Sequence, residues 1–282
     1  MLEVTFRLHQ RRAPAKMHLN PTGVILNGFR NVRDTDLNRL TRLKTLSWLS
    51  SPELGQLAGS LIYFDFKPAQ IILRQTELAP EVEILVKGGA RAVLLPEAHI
   101  LVKGIARITC QSVLGEWITM ALLPPGLIPQ FPSLPLSRFD FRCEAYNDCR
   151  IGNIGWDQFN RIAVLHPETP VNRYHENDLQ QWYRLLLRNS SFLKLGLHER
   201  IALALLELST EFGIVESRGS LLSTAFSHQD IAELVGASRP RVTEHLAEFE
   251  RMHQIIRQGR QLIICVDEIN RDQSRRGADS KK

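Results

Sequence analysis

The chain has 282 residues, 44% hydrophobic and 23% charged, with a formal net charge of +5. This is the balance of an ordinary soluble globular protein of about two domains. No apolar stretch approaches the roughly twenty residues of a membrane span and the start lacks a signal-peptide core, so a cytoplasmic protein with no membrane partner is expected.

The charge is unevenly placed. Met1 to Lys44 holds nine Lys or Arg against three acids, so the remainder is near neutral. Residues 1–43 read as a basic arm whose RRAPAK and NPTG segments suit a mobile extension, nucleic-acid contact being the other reading. A helical lead-in, LSWLSSPELGQLAGSL, follows. YFDFKPAQIIL, HILVKGIARITC and EWITMALLPPG then alternate apolar and polar residues between Gly and Pro punctuation, which predicts a double-sheet jelly roll over 44–168. Residues 79–95 read as an extra loop or hairpin, and Gly115-Glu116 as a hairpin turn. Cys110, Cys143, Cys149 and Cys265 show no CxxC pairs, so reduced, buried thiols and no metal site are expected.

Residues 169–195 predict one long helix in which His175, Leu179, Trp182, Leu186, Asn189 and Leu193 recur at alternating steps of four and three. That spacing is a coiled-coil seam, with Leu179, Trp182, Leu186, Asn189 and Leu193 as the expected dimer interface and Asn189 able to set register. The competing reading packs Trp182 and the leucines onto their own barrel. After Gly196, HERIALALLELSTEF is amphipathic on Ile201, Leu205, Leu208 and Phe212 and opens a domain spanning 196–270, with a hinge near Leu195.

The run His228 to Leu246, HQDIAELVGASRPRVTEHL, reads as two short helices meeting at Gly236. Ile231, Ala232, Leu234 and Val235 form an apolar stripe, and Ser227 with Asp230 forms a capping box. Gly236 supplies the left-handed turn, Ser238 is placed to cap the second helix, and Pro240 falls in its first turn. Val242, Leu246 and Phe249 face inward, which leaves Arg239, Arg241, Thr243 and Glu244 outward. Arginine can pair with guanine, glutamate can accept from cytosine, and the threonine methyl can touch thymine. IIRQGRQLIICV then predicts a hairpin wing with Arg257 and Arg260 placed for phosphates. Candidate DNA contacts are Gln229, Ser238, Arg239, Pro240, Arg241, Thr243, Glu244, Arg257 and Arg260. From His228 to Lys282 the basic and acidic residues nearly balance, ten to nine, so useful affinity is expected from two copies on two half-sites. The tail 271–282, RDQSRRGADSKK, reads as disordered.

DIAELVGASRPRVTEHL closely resembles the helix-turn-helix of the bacterial Crp/Fnr regulators, and LVKGIARI, WITMALLPPG and YNDCRIGNIGWDQFNRI more loosely resemble their cyclic-nucleotide-binding-like domain. The resemblance implies an α+β chain: a jelly-roll sensor, a long dimerisation helix and a carboxyl-terminal winged helix-turn-helix. It implies a homodimeric transcriptional regulator, not an enzyme, that reads a palindromic operator in double-stranded DNA and recruits or blocks RNA polymerase. Arg239 stands where the family has a groove-reading arginine, whereas Pro240 and Glu244 depart from its usual base-contacting glutamate and arginine. His245 stands where an apolar residue is usual and reads as a packing histidine.

Nucleotide-binding members follow the Pro-Gly corner with a Gly-Glu phosphate cassette. Here LIPQFPSLPLSRFDF offers three prolines and no Gly-Glu, Arg138 alone lying near the expected arginine, so cyclic AMP is not the expected effector. No cluster-binding cysteines lie near the start, and no cofactor is expected. His99, His166, His175 and the cysteines leave haem or redox sensing as an alternative, and a protein-docking module is the alternative from another class.

Overall fold

The computed structural model describes residues 18–19, 25–26, 34–75, 83–86, 90–93, 97–112, 115–129, 141–162 and 170–279. Most of the basic arm, the segment 130–140 with Arg138, and His166 lie outside these residues.

The chain begins with a short pair of strands, β1 (His18–Leu19) and β2 (Ile25–Leu26), and two helices, α1 (Asp34–Leu40) and α2 (Ser51–Ser60), separated by a 3-10 turn at Lys44–Leu46. Ten strands follow: β3 (Ile62–Phe66), β4 (Ile71–Gln75), β5 (Glu83–Val86), β6 (Ala90–Val93), β7 (Glu97–Lys103), β8 (Ala106–Gln111), β9 (Trp117–Leu123), β10 (Gly126–Leu127), β11 (Phe141–Ala145) and β12 (Cys149–Gly155). They form two four-stranded antiparallel sheets, β10-β7-β12-β3 and β4-β11-β8-β9, with β5 and β6 paired apart as a hairpin. This is the expected jelly roll, and the hairpin falls where an insertion was expected. Gly115 carries φ +84° in the β8–β9 turn, which Ser112 N closes by donating to Glu116 O at 2.7 Å.

Period-two alternation sends Phe64, Phe66, Ile72, Leu101, Ala106, Cys143, Ala145, Cys149 and Ile151 into the space between the sheets. A second apolar layer joins the outer face of β7 and β12 to α1, α2 and α3 (Trp156–Ile162) through Leu40, Leu46, Leu57, Ile100, Ile154 and Phe159. Residues from 34 onward thus pack with the barrel, ahead of the boundary expected at 44. Leu40 is fully buried, and Asp36 accepts from Arg150 Nε through both oxygens at 3.1 Å, tying α1 to β12. Arg150 is 4% exposed, donates from Nη1 to Asp65 at 2.9 and 3.0 Å, and lies over the Tyr63 ring. Burial, with Asp36 adding to it, pushes the Tyr63 hydroxyl up to about 12.

Helix α4 (Pro170–Phe192) crosses from the barrel to the carboxyl-terminal domain. One side is pinned: Tyr174 Oη donates to Ile128 O, Arg188 Nη2 donates to Met120 O, and Arg188 Nη1 meets Glu207 at 3.0 Å. The other side is an apolar stripe in which Leu179 is 71%, Tyr183 61%, Leu186 62% and Leu193 87% exposed. The expected seam is thus shifted by one position at Trp182, which turns toward Phe141 on the barrel with ring centroids 5.8 Å apart, while Asn189 is half-buried. Tyr183 takes the outward place. One face of this helix therefore lies on its own barrel and the other is uncovered.

The remaining elements are α5 (Leu197–Phe212), β13 (Gly213–Glu216), β14 (Gly219–Leu222), α6 (His228–Val235), α7 (Arg239–Arg251), β15 (Ile255–Gln258), β16 (Gln261–Ile264) and α8 (Val266–Asp279). The sheet order is β13-β14-β16-β15, all antiparallel. Helix α8 corrects the expectation of a disordered tail from 271: it runs to Asp279 and is anchored by the fully buried Ile269. No described helix is long and apolar enough to cross a membrane.

Replacing Asp36 with Asn should cost about 3 kcal/mol of unfolding free energy, because it takes a carboxylate away from a buried guanidinium. Urea titration of the full chain checks this. A loss below about 1 kcal/mol would show that Arg150 does not depend on α1.

Candidate nucleic-acid interface

Helix α6 starts at a reciprocal cap. Ser227 Oγ accepts from Asp230 N, and Asp230 Oδ2 accepts from Ser227 N at 2.8 Å. The helix ends at Gly236 in the left-handed region, φ +63°. A Cβ there would meet only Arg200 Nη1 at 3.9 Å, so the glycine is required by backbone conformation and not by space. Arg200 Nη1 donates to Val235 O at 2.8 Å and satisfies a terminal carbonyl that no motif in the sequence had accounted for. Ser238 occupies the N-cap of α7 in an extended conformation with Pro240 in the first turn, as expected, but the Ser238 hydroxyl makes no capping bond.

Val242, Leu246 and Phe249 are fully buried against α5, α6 and the wing, so three successive turns of α7 are fixed inward. The opposite face is forced out: Arg239, Pro240, Arg241, Thr243 and Glu244 are all exposed, as are Gln229 and Ser238. Thr243 Oγ1 donates to Arg239 O at 2.9 Å and lies 2.8 Å from His228 Nδ1, which leaves its methyl as the group on offer. Gln229 Nε2 donates to Glu233 at 3.1 Å. No side-chain hydrogen bond or ion pair engages Arg239, Arg241 or Arg260 among the described residues. Both wing arginines are exposed, but Arg257 donates from Nε to Glu250 at 2.8 Å and is partly neutralised. Arg260 is adjacent to Gly259, which turns the wing at φ +62°.

Between the start of α6 and the wing lies an open cleft of about 280 Å³, lined by Ser227, His228, Arg257, Gly259 and Arg260 among others. Helix-start amides, a histidine and two arginines make it a place for an anionic oxygen. Burial first, and then the charges of Arg257 and Arg239, push the His228 pKa down. His228 was missed in the sequence because a helix-start histidine carries no motif.

The first helix of this reader is also bound to the barrel. Arg107 on β8 donates from Nη2 to Asp230 at 2.9 Å and from Nη1 to Glu233 at 3.0 Å, Thr119 on β9 donates to Glu233 at 2.9 Å, and Tyr146 donates to Asp230 at 2.9 Å. Burial, and then its bond to Asp230, raises the Tyr146 pKa. Ile105 and Leu122 from the barrel complete the apolar core of the carboxyl-terminal domain, and Tyr146 packs on Phe226. Leu195, where a hinge is expected, lies between α4 and α5, and the two domains share a polar clamp above an apolar contact.

Histidines and cysteines offer no assembled haem site among the described residues. His99 Nδ1 lies 3.0 Å from Asn153 Oδ1, and His175 lies beside Trp156. All four cysteines are free thiols; burial pushes Cys149 up to about 11 and raises Cys143 further, so both are protonated near neutrality.

Residues 199–268 match the Crp-like helix-turn-helix domain. Among solved structures, the chain is similar to a CooA mutant from Carboxydothermus hydrogenoformans, at 18% identity and a TM-score of 0.55 over 86% of this chain and 98% of that one. It is also similar to FixK2 from Bradyrhizobium japonicum, at 15% identity and a TM-score of 0.54 over 75% of this chain and 96% of the other. TTHB099, a CRP-family transcriptional regulator from Thermus thermophilus, aligns at 20% identity and a TM-score of 0.51 over 74% of this chain and 95% of its own. The chain has the architecture of the Crp/Fnr regulators. No curated protein matches it in sequence.

Within this Crp/Fnr architecture the clamp is the part that the sequence does not announce. A double-mutant cycle on Arg107→Ala and Asp230→Asn, read by urea unfolding, should give a coupling of about 1–3 kcal/mol. Additivity within about 0.3 kcal/mol would mean that the barrel and α6 do not hold one another.

Proposed function

We propose that this protein is a cytoplasmic, sequence-specific transcriptional regulator that acts as a homodimer. In this reading α7 enters the major groove, and Arg239, Arg241, Glu244 and the Thr243 methyl meet base edges. Ser238, His228 and Arg260 contact phosphates around it, with Arg257 joining them by exchanging Glu250 for a phosphate oxygen. Gln229, on the helix that crosses the backbone, adds a further phosphate contact, and Pro240 shapes the front of the reading helix. Bound at a promoter, the dimer would recruit or block RNA polymerase.

The observation that carries this reading is the sidedness of α7. Three buried apolar residues hold one face, and two arginines without a protein partner occupy the other. The half-buried Arg107 clamp and the short α4–α5 junction supply the means by which a change in the barrel would re-aim α6 and α7. The effector is not assigned. The proline-rich LIPQFPSLPLSRFDF lacks the Gly-Glu of a nucleotide cassette, which disfavours cyclic AMP.

Dimerisation is supported by the exposed stripe on α4. Leu179, Tyr183, Leu186 and Leu193 follow steps of four, three and seven, the period of a two-stranded seam. A continuous apolar row on an otherwise charged helix favours a second copy as its cover.

Substituting Arg239 with Ala should cost about 1–3 kcal/mol per half-site on the preferred duplex and flatten preference at one base, with little change on random DNA. Substituting Arg260 with Ala should weaken all duplexes alike and reduce the salt slope by about one per protomer. Titration of the full chain on selected and random duplexes at several salt concentrations reads both effects; equal losses for Arg239→Ala on the two duplexes would remove it from base reading. Leu186→Glu should give a monomer by sedimentation, with the affinity for a two-half-site duplex falling at least about a hundredfold. A variant that stays dimeric would move the interface off α4.

A further inference from the structure

Helices α5, α7 and α8 converge on a cluster that the DNA-reading surface does not use. His198 sits at the second residue of α5 and is 6% exposed; His245 and Glu248 lie one turn apart on α7; Asp272 comes from α8. His198 Nδ1 is 3.7 Å from Glu248 Oε2, and His245 Nδ1 is 3.7 Å from the same oxygen. The three donor atoms lie within 4.8 Å of one another. On the far edge of the His198 ring, Nε2 is 3.4 Å from Asp272 Oδ2, and the ring face is stacked on Phe249 with centroids 4.3 Å apart.

We infer that His198, His245 and Glu248 form a binding site for a divalent transition-metal ion of the zinc class, with Asp272 as the residue that orients His198. At 3.7 Å these groups are beyond hydrogen-bond reach, and His245 Nδ1 is a buried nitrogen with no hydrogen-bond partner among the described residues. Two imidazole nitrogens facing one carboxylate oxygen across such a gap define a space for a cation. Donors around a tetrahedral zinc at 2.0–2.2 Å stand about 3.3 Å apart, so closure needs shifts of only about half an ångström between the nearer pairs. Asp272 Oδ2, 3.4 Å from Nε2, is placed to take the proton on that nitrogen once the ring settles on an ion, the arrangement by which a carboxylate fixes the tautomer of a metal-binding histidine and leaves Nδ1 to the metal. Two nitrogens and one carboxylate suit zinc, cobalt or nickel and disfavour magnesium and calcium, which take all-oxygen shells. Phe249 closes one face, and a water completes the shell on the half-exposed His245 side.

Such an ion would staple the middle of the reading helix α7 to the start of α5, directly after the α4–α5 junction, and to α8. The expectation of no metal rested on the absence of CxxC pairs, whereas these ligands contain no cysteine and lie 47 and 3 residues apart along the chain.

The test is equilibrium dialysis of the tag-free, metal-stripped, reduced full chain against Zn²⁺, with Co²⁺ as a visible-absorption probe. One Zn²⁺ per chain is expected, with a zinc-dependent rise in Tm and ligand-field bands for Co²⁺. His245→Gln, at a half-exposed position, should lose at least about a hundredfold in affinity and the Tm rise, and Asp272→Asn should lose about 10–100-fold. Absence of stoichiometric binding, or binding unchanged in both variants and so attributable to the thiols, would overturn the site and leave the DNA-reading proposal untouched.

Discussion

Asp230 sits where the start of α6 meets the barrel and serves both. One carboxylate closes the start of α6 by accepting from Ser227 and, at the same time, receives Arg107 and Tyr146 from the barrel. A helix cap is worth about 0.5–2 kcal/mol, and a hydrogen bond to a charged group about 1.5–3 kcal/mol. The barrel therefore adds to the cap, and to the burial of Ile231, Leu234 and Val235 in the domain's own core, a polar hold of at least the cap's size. Through the left-handed turn at Gly236 the direction of α6 sets the direction of α7, and through α7 it sets where Arg239 and Arg241 point. The geometry of the reading surface is in this sense a property of the barrel.

The same logic governs α4. Its inner face is committed to the barrel by Tyr174, Trp182 and Arg188, and its outer leucines are left uncovered. A rotation of α4 would move both the Arg188–Glu207 pair and the uncovered outer leucines. Charge is distributed to match. The carboxyl-terminal segment is nearly neutral overall, yet Arg239, Arg241, Arg257, Arg260 and His228 lie at the wing and the front of α7, while Glu248 and Asp272 sit on the side toward His198.

What could be read in the sequence was what local chemistry dictates. Ser227, Asp230, Gly236 and Pro240 each force a backbone conformation within a few residues, so the helix-turn-helix was legible to the residue. Period-two alternation likewise gave the barrel strands. Contacts between distant segments were not legible: Arg107, Thr119 and Tyr146 fall in strand or turn patterns that look the same whether they face water or Asp230. Helix α8 was hidden by its polar composition, in which Ile269 is the fully buried anchor among the described side chains. The α1 boundary depended on Asp36 finding Arg150 more than a hundred residues away. At Trp182 and Tyr183, neighbours of similar character, spacing could not decide which aromatic the barrel would claim.

Selection of binding sites from random duplexes by the full chain, followed by hydroxyl-radical footprinting of the winner, tests the central claim most directly. The account predicts a two-fold symmetric sequence with two protected major-groove patches about one helical turn, 10–10.5 base pairs, apart. Recovery of no preferred sequence, or protection of a single unsymmetrical patch, would contradict it.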